Sequence, residues 1–130
     1  MKYPQLPDSE FFVMQIIWDG ESQISSREVA KRIKPLKGWK NQTVYTLLGR
    51  LVEKGFLFSE KHGWERYYEP LVKREDYLRQ ETGRFVEVYH KNSLTDFMSA
   101  LVPGSTITDN DLSELSAWLK SRENEDKSDV

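Results

Sequence analysis

Within residues 41–54 the apolar side chains fall at Val44, Leu47, Leu48, Leu51 and Val52. The spacing i, i+3, i+4, i+7, i+8 gathers them on one side of an α-helix. Asn41, Gln42, Thr43, Tyr45, Thr46 and Arg50 are left for the opposite side. Such a helix buries one face in a core and offers a hydrogen-bonding face elsewhere. Gly55 follows as a stop, able to take positive φ without a Cβ clash. Residues 56–61 and 65–69 then predict two strands joined by His62-Gly63-Trp64, with Pro70 ending the ladder.

The flanking elements are predicted from the same signals. A first helix spans residues 9–19, with start chemistry from Pro7, Asp8 and Ser9 and a stop at Gly20. Phe12, Val13, Ile16 and Ile17 form its expected buried face. An extended piece at Gln23–Ile24 leads to Ser25 and Glu28, a capping box. The helix behind it, residues 26–34, buries Val29, Ala30 and Ile33, and Pro35 is expected to end it. Beyond Pro70 the pattern is wholly helical. Residues 72–91 form one long helix, with Leu71, Leu78 and Phe85 spaced by sevens. Residues 94–102 form a second, and Thr108 to Asp111 cap a third that carries Leu112, Leu115, Trp118 and Leu119. From Ser121 the chain is polar and expected to fray. The expected division is 1–70, 71–122 and a polar tail, 123–130.

Composition narrows the function classes. With 38% apolar and 31% charged residues the 130-residue chain is too apolar to be disordered and too polar to span a membrane. The N-terminus lacks a signal-peptide apolar region. No cysteine is present, which removes disulfides, thiolate metal sites and cysteine nucleophiles and fits a reducing cytoplasm. His62 and His90 stand alone, so no metal or other cofactor is expected. Nor is an enzyme, since nothing resembles a carboxylate pair, a Ser/His/Asp order or a phosphate loop. The net charge of −2 conceals a basic stretch. Residues 27–54 hold 8 Lys and Arg against 2 Asp and Glu. One basic stretch in a mildly acidic chain suits either a local polyanion site or a solvated helix face.

Helix, short strand, helix, tight turn, helix, hairpin is the order of a winged helix-turn-helix. The expected fold is therefore mainly α with a small β-hairpin, a winged helix-turn-helix domain followed by a helical dimerisation region. The third helix of that fold enters the major groove, about 12 Å wide. Gln42 can pair with adenine N6 and N7, and Thr43 and Thr46 can offer a methyl to thymine or a hydroxyl to a base edge. Tyr45 can reach a base or a phosphate. Lys37, Lys40, Arg50 and Lys54 flank this helix, and Arg27, Lys31 and Arg32 lie on the one before it. Lys61 and Arg66 serve either as phosphate contacts or as edge-strand charges that discourage aggregation. Trp39 and Trp64 are expected to pack. If about six phosphates are neutralised per half-site, log K falls against log salt with a slope of about −5.

Several stretches resemble the penicillinase-repressor (BlaI/MecI-like) family. The run Asp8-Ser9-Glu10-Phe11-Phe12-Val13-Met14-Gln15-Ile16-Ile17-Trp18 is similar to its opening helix. Gly38-Trp39-Lys40-Asn41-Gln42-Thr43-Val44-Tyr45-Thr46-Leu47-Leu48-Gly49-Arg50-Leu51 and Glu53-Lys54-Gly55-Phe56-Leu57 match its W-x-x-x-T-[IV]-x-T-L-[IL]-x-R-L-x-x-K-G pattern. Tyr67-Tyr68 matches the end of its wing, and the likeness covers about residues 6–100. The resemblance implies a cytoplasmic bacterial repressor that binds a palindromic double-stranded DNA operator as a homodimer. Gln42, Thr43, Tyr45 and Thr46 would read bases, and the C-terminal helices would dimerise, through Leu71, Leu78, Phe85, Tyr89, Phe97, Leu101, Leu112, Leu115 and Leu119. It also implies inactivation through a membrane sensor protease pathway, with cleavage at the aligned Ala100–Leu101. Two departures stand out. Lys40-Asn41 replaces a common Ser-Pro, so Asn41 is expected to cap a slightly later helix start. The Cys-x-Cys motif of the copper-responsive branch is absent.

Two other readings remain open at this level. A winged helix can sense a small molecule, here in a pocket lined by Trp64, Tyr67, Tyr68 and Tyr77. It can also serve protein–protein contact alone.

Overall fold

The computed structural model describes residues 2–104 and 106–128. The elements are α1 (Asp8–Asp19), β1 (Ile24–Ser25), α2 (Ser26–Lys37), α3 (Asn41–Glu53), β2 (Leu57–His62), β3 (Glu65–Pro70), α4 (Arg74–His90), α5 (Leu94–Leu101) and α6 (Asp109–Ser128). They form two compact units, residues 1–84 and 85–130.

In the first unit α1, α2 and α3 enclose a core of Val13, Met14, Ile17, Val29, Ile33, Val44, Leu48 and Leu51, all essentially inaccessible to solvent. The chain turns sharply out of α3. Gly55 takes φ 82°, its N–H donates to the Val52 carbonyl at 3.0 Å, and the Phe56 N–H donates to the Leu51 carbonyl at 2.9 Å. This is a Schellman stop, and its usual apolar partners, Leu51 and Phe56, are both fully buried. The hairpin that follows is antiparallel, with Leu57 opposite Pro70 and His62 opposite Glu65. Pro70 thus closes the ladder as its last paired residue. The extended piece expected at residues 23–24 lies one residue later and pairs with β3, Ile24 opposite Tyr68, giving a sheet of order β1-β3-β2.

Several local expectations are corrected. α1 begins behind Pro7 without a side-chain cap. Its buried residues are Glu10, Val13, Met14 and Ile17, while Phe12 and Ile16 lie half-buried at the margin. The stripe is rotated because it includes a charge that apolar periodicity cannot count. Ser25 caps α2 by accepting from the Glu28 N–H, but the Glu28 carboxylate turns to Arg32 at 3.1 Å rather than back to Ser25. Pro35 does not end α2. The carbonyl it leaves without a donor is that of solvent-exposed Lys31, where water can serve it. The helix stops instead at Gly38, with φ 67° and its N–H on the Lys34 carbonyl at 2.8 Å.

The first turns of α4 belong to this core. Tyr77 is buried, its hydroxyl accepts the Leu6 N–H at 2.8 Å, and its ring lies 5.3 Å from that of Phe56. The Trp18 indole donates to the Val72 carbonyl at 3.0 Å. Glu10, only 2% exposed, holds the Lys54 ammonium at 2.5 Å. This pair ties the first turn of α1 to the C-terminal end of α3.

In the second unit, Phe85 stacks near Tyr89 at 4.8 Å and Phe97 at 6.3 Å. His90 Nδ1 lies 2.7 Å from Asp96 Oδ2. Lys91 and Asn92, both at positive φ, separate α4 from α5. Ser93 caps α5 through the Asp96 N–H. Thr108 and Asp111 cap α6 reciprocally, at 3.1 and 2.9 Å. The helix continues through Ser121 to Ser128, where fraying was expected. Residues 129–130 of the expected tail lie outside the described residues.

Two measurements test this packing. Lys54→Met strands a buried carboxylate, and the unfolding free energy is expected to fall by about 2 kcal/mol. The figure lies below that of a fully buried pair because Lys54 still reaches solvent. Adding Glu10→Leu should recover most of the loss. Burial raises the phenol pKa of Tyr77 and of Tyr68 above the ordinary 10.0. Their neutral forms therefore contribute stability fully below pH 10, and that contribution is lost as pH rises through the elevated folded values. Tyr77→Phe should flatten part of this alkaline fall. At neutral pH it should cost about 1–2 kcal/mol, because the Leu6 N–H is orphaned.

Candidate nucleic-acid interface

The burial of one side of α3 fixes what the other side presents. Val44, Leu47, Leu48 and Leu51 face the core, and Asn41, Gln42, Thr43, Tyr45, Thr46, Gly49 and Arg50 are exposed. The division is the one that the apolar spacing predicts, with Val52 half-buried at its edge.

The N-terminus of α3 differs from expectation. Asn41 does not cap a later start. Lys40 is the N-cap, in extended conformation and with no side-chain hydrogen bond, and Asn41 is the first helical residue. The Thr43 and Val44 N–H groups both reach the Lys40 carbonyl, at 3.0 and 3.3 Å. The N–H groups ahead of them point out of the helix end.

Hydrogen bonding on this face limits what each group can offer. The Thr46 hydroxyl donates to the Gln42 carbonyl at 2.9 Å. Its proton is thus committed, and its methyl and lone pairs remain outward. The Gln42 side chain makes no hydrogen bond among the described residues, so its donor and acceptor are both free for a base edge.

The cations separate into engaged and free. Lys54 is taken by Glu10, which removes it from the flank of α3. Lys37 lies 4.8 Å above the Phe12 ring. Arg27 pairs with Glu65 at 3.7 Å, and Arg32 with Glu28 at 3.1 Å. Lys31, Lys40, Arg50 and Lys61 are exposed and carry no ion pair among the described residues. Arg66 donates to the Ser59 hydroxyl at 3.0 Å.

The hairpin sorts its charges by face. Leu57, Ser59 and Lys61 share one side with Pro70, Tyr68 and Arg66. At the root this side is core, with Leu57 and Tyr68 buried. Further out it presents Lys61 directly opposite Arg66. The other side carries Glu60, His62, Glu65 and Glu69. Tyr68 lies within electrostatic reach of Arg66, which lowers its pKa against the dominant effect of burial, and of Tyr45 on α3. The hairpin itself leaves the C-terminal end of α3 through Lys54, Gly55 and Phe56.

The two tryptophans part company. Trp39 packs edge-on against Phe12, with ring centres 5.7 Å apart. Trp64, expected to pack, stands at the hairpin tip and is 99% exposed. Nor do Trp64, Tyr67, Tyr68 and Tyr77 line one cavity. Tyr67 and Tyr68 are adjacent on β3 and so point to opposite sides, and Tyr77 fills the core beside Phe56. Among the described residues no group of three or more His, Cys, Asp or Glu could hold a metal ion. Among them, too, no helix is long and apolar enough to cross a membrane. Apolar spacing gave no hint of the Glu10–Lys54 pair or of the pairing of β1; a charged residue within the α1 stripe, with a Lys at the end of α3, was the available signal.

Comparison with known proteins agrees with this arrangement. The penicillinase repressor family model matches residues 6–121. The penicillinase repressor of Bacillus licheniformis is 29% identical over 126 residues, 97% of this chain and 98% of its own. The methicillin resistance regulatory protein MecI of Staphylococcus aureus is 25% identical over 111 residues, 85% of this chain and 89% of its own. Among solved structures, the DNA-binding domain of the repressor BlaI is 38% identical, covers 58% of this chain and 92% of that one, and gives a TM-score of 0.53. Monomeric B. licheniformis BlaI in complex with the blaP half-operator, also 38% identical with the same coverage, gives 0.50. With the family model matched over residues 6–121 and the fold of the BlaI DNA-binding domain shared over 58% of the chain, this chain belongs to the penicillinase repressor family.

Proposed function

We propose that this chain is a transcriptional repressor that binds a palindromic DNA operator as a homodimer in the cytoplasm. One observation carries the reading: α3 shows a continuous hydrogen-bonding face, free of the core, with unpaired Lys40 and Arg50 beside it. Gln42, Thr43, Tyr45 and Thr46 read base edges. Lys40, Asn41, Arg50, Lys61 and Arg66 hold phosphates and set register. The BlaI structure solved with its half-operator supports the DNA-binding reading by its likeness over 58% of this chain.

Dimerisation falls to residues 71–122. Leu71, Phe85, Tyr89, Leu101, Leu112, Leu115 and Leu119 are exposed in the single chain, and Leu78 and Phe97 are half-buried. The apolar stripe of α6 in particular is left 37–57% exposed at Leu112, Leu115, Trp118 and Leu119, and a second copy would cover it. Two linked half-sites then give the specificity that one lacks.

Inactivation proceeds through a membrane sensor protease pathway, with cleavage between Ala100 and Leu101. Both residues are exposed, at the end of an eight-residue helix with no buried side chain. Such a helix opens at little cost, and a protease needs an extended strand. The cut would separate α6 from the rest of the chain and weaken the dimer.

Selection of duplexes from a random pool, followed by gel shift at two salt concentrations, tests the reading. A palindromic consensus is expected. Gln42→Ala should weaken binding by about 1–3 kcal/mol and relax the preference at one adenine. Lys40→Ala and Arg50→Ala should weaken all sites alike, each reducing the salt slope by about one. Leu115→Asp should yield monomers in sedimentation. If no duplex is selected while a protein partner still binds, the winged helix serves protein contact instead.

A further inference from the structure

The hairpin outruns the core that anchors it. Leu57 at its root is buried, but Glu60, Lys61, His62, Gly63 and Trp64 are all exposed. Six-residue strands at ~3.3 Å per residue carry the tip about 17 Å beyond that root. The turn is tight. Gly63, at φ 66°, is its first central residue, and Trp64, without positive φ, is its second. That is the pattern of a type II′ turn, which matches strand twist and makes the finger stiff. A stiff finger ending in a fully exposed indole is unusual, since tryptophan is among the most buried side chains on average.

The charges indicate what the finger meets. Lys61 and Arg66 face each other across the ladder, and like charges directly opposite are destabilising in the free protein. A polyanion laid along that side relieves the repulsion. The finger leaves the C-terminal end of α3 through only Lys54, Gly55 and Phe56, so the same duplex can touch both.

We propose that Trp64 is a minor-groove contact that reads A·T base pairs flanking each half-site; the inference rests on the DNA-binding function proposed above. The minor groove is about 6 Å wide and admits an indole edge-on. The indole Nε1–H is a donor with no acceptor capacity. Adenine N3 and thymine O2 accept from it, whereas the N2 amino group of guanine presents a second donor and fills the groove floor. Lys61 and Arg66 then hold the phosphates that border the groove. The contact adds a preference outside the bases read by α3.

The test uses the full-length protein and duplexes that it selects from a random pool. The flanking A·T pairs are replaced by G·C or by inosine·C, which keeps the major-groove pattern of G·C but lacks the N2 amino group. The wild-type protein should bind the G·C flank about tenfold more weakly and recover on inosine·C. Trp64→Phe, which keeps a ring and loses the donor, should treat the three flanks nearly alike. Trp64→Ala should lose affinity on the A·T flank, and acrylamide quenching of Trp64, taken as the difference from Trp64→Phe, should fall on binding. Full affinity and an unchanged flank preference in Trp64→Ala would overturn the minor-groove contact while Gln42→Ala still reports on α3. Failure to select any duplex would overturn it together with the DNA-binding reading.

Discussion

The burial of Val44, Leu47, Leu48 and Leu51 is the constraint on which the rest of the structure depends. These side chains are 0–5% exposed and lock the rotation of α3 about its own axis. A quarter-turn of α3 would expose at least two of them, at roughly 1.5–3 kcal/mol each. Gln42, Thr43, Tyr45 and Thr46 therefore face outward as a consequence of the core. Two further devices fix the C-terminal end of the helix. The Schellman stop at Gly55 sends the chain straight into the hairpin, with Phe56 as its buried pivot. The Glu10–Lys54 pair holds that end against α1.

The surface electrostatics follow from the same packing. Of the basic residues in the stretch 27–54, several are consumed by the fold: Lys54 by Glu10, Arg27 by Glu65, Arg32 by Glu28 and Lys37 by the Phe12 ring. What stays free is smaller than the charge count suggests. Lys31 and Lys34 stay exposed on α2, Lys40 and Arg50 border the polar face of α3, and Lys61 and Arg66 share one side of the hairpin. The acidic residues of the hairpin occupy the opposite side, so the ribbon has one side suited to a phosphate backbone and one that repels it.

Much of this was legible in the sequence where a signal was local. The apolar spacing of α3, the Gly55 stop and the Ser25 cap all act within a few residues and stand where they were expected, and the hairpin turn is one residue tighter, with His62 paired to Glu65 in the ladder. Pairwise long-range effects were not legible. Nothing local marks Glu10 as buried, because its burial depends on an ammonium 44 positions away. Pro35 reads as a terminator by rule, yet one lost hydrogen bond on a wet side of the last turn is tolerable. Trp64 reads as a packing residue by type, but the hairpin carries it past any surface it could pack on. The face of α3 was legible for the opposite reason: a helix that must bury four residues in one stripe has no freedom in where it puts the others.

The proposed place of Gln42 is in the major groove, against a base edge. A double cycle on a selected duplex probes it, replacing adenine with 7-deazaadenine position by position in the half-site. Loss of the N7 acceptor at one position should weaken the wild-type protein and leave Gln42→Ala unaffected, because the two changes remove the same contact. If the two losses add at every adenine, α3 does not read that edge and the account is contradicted.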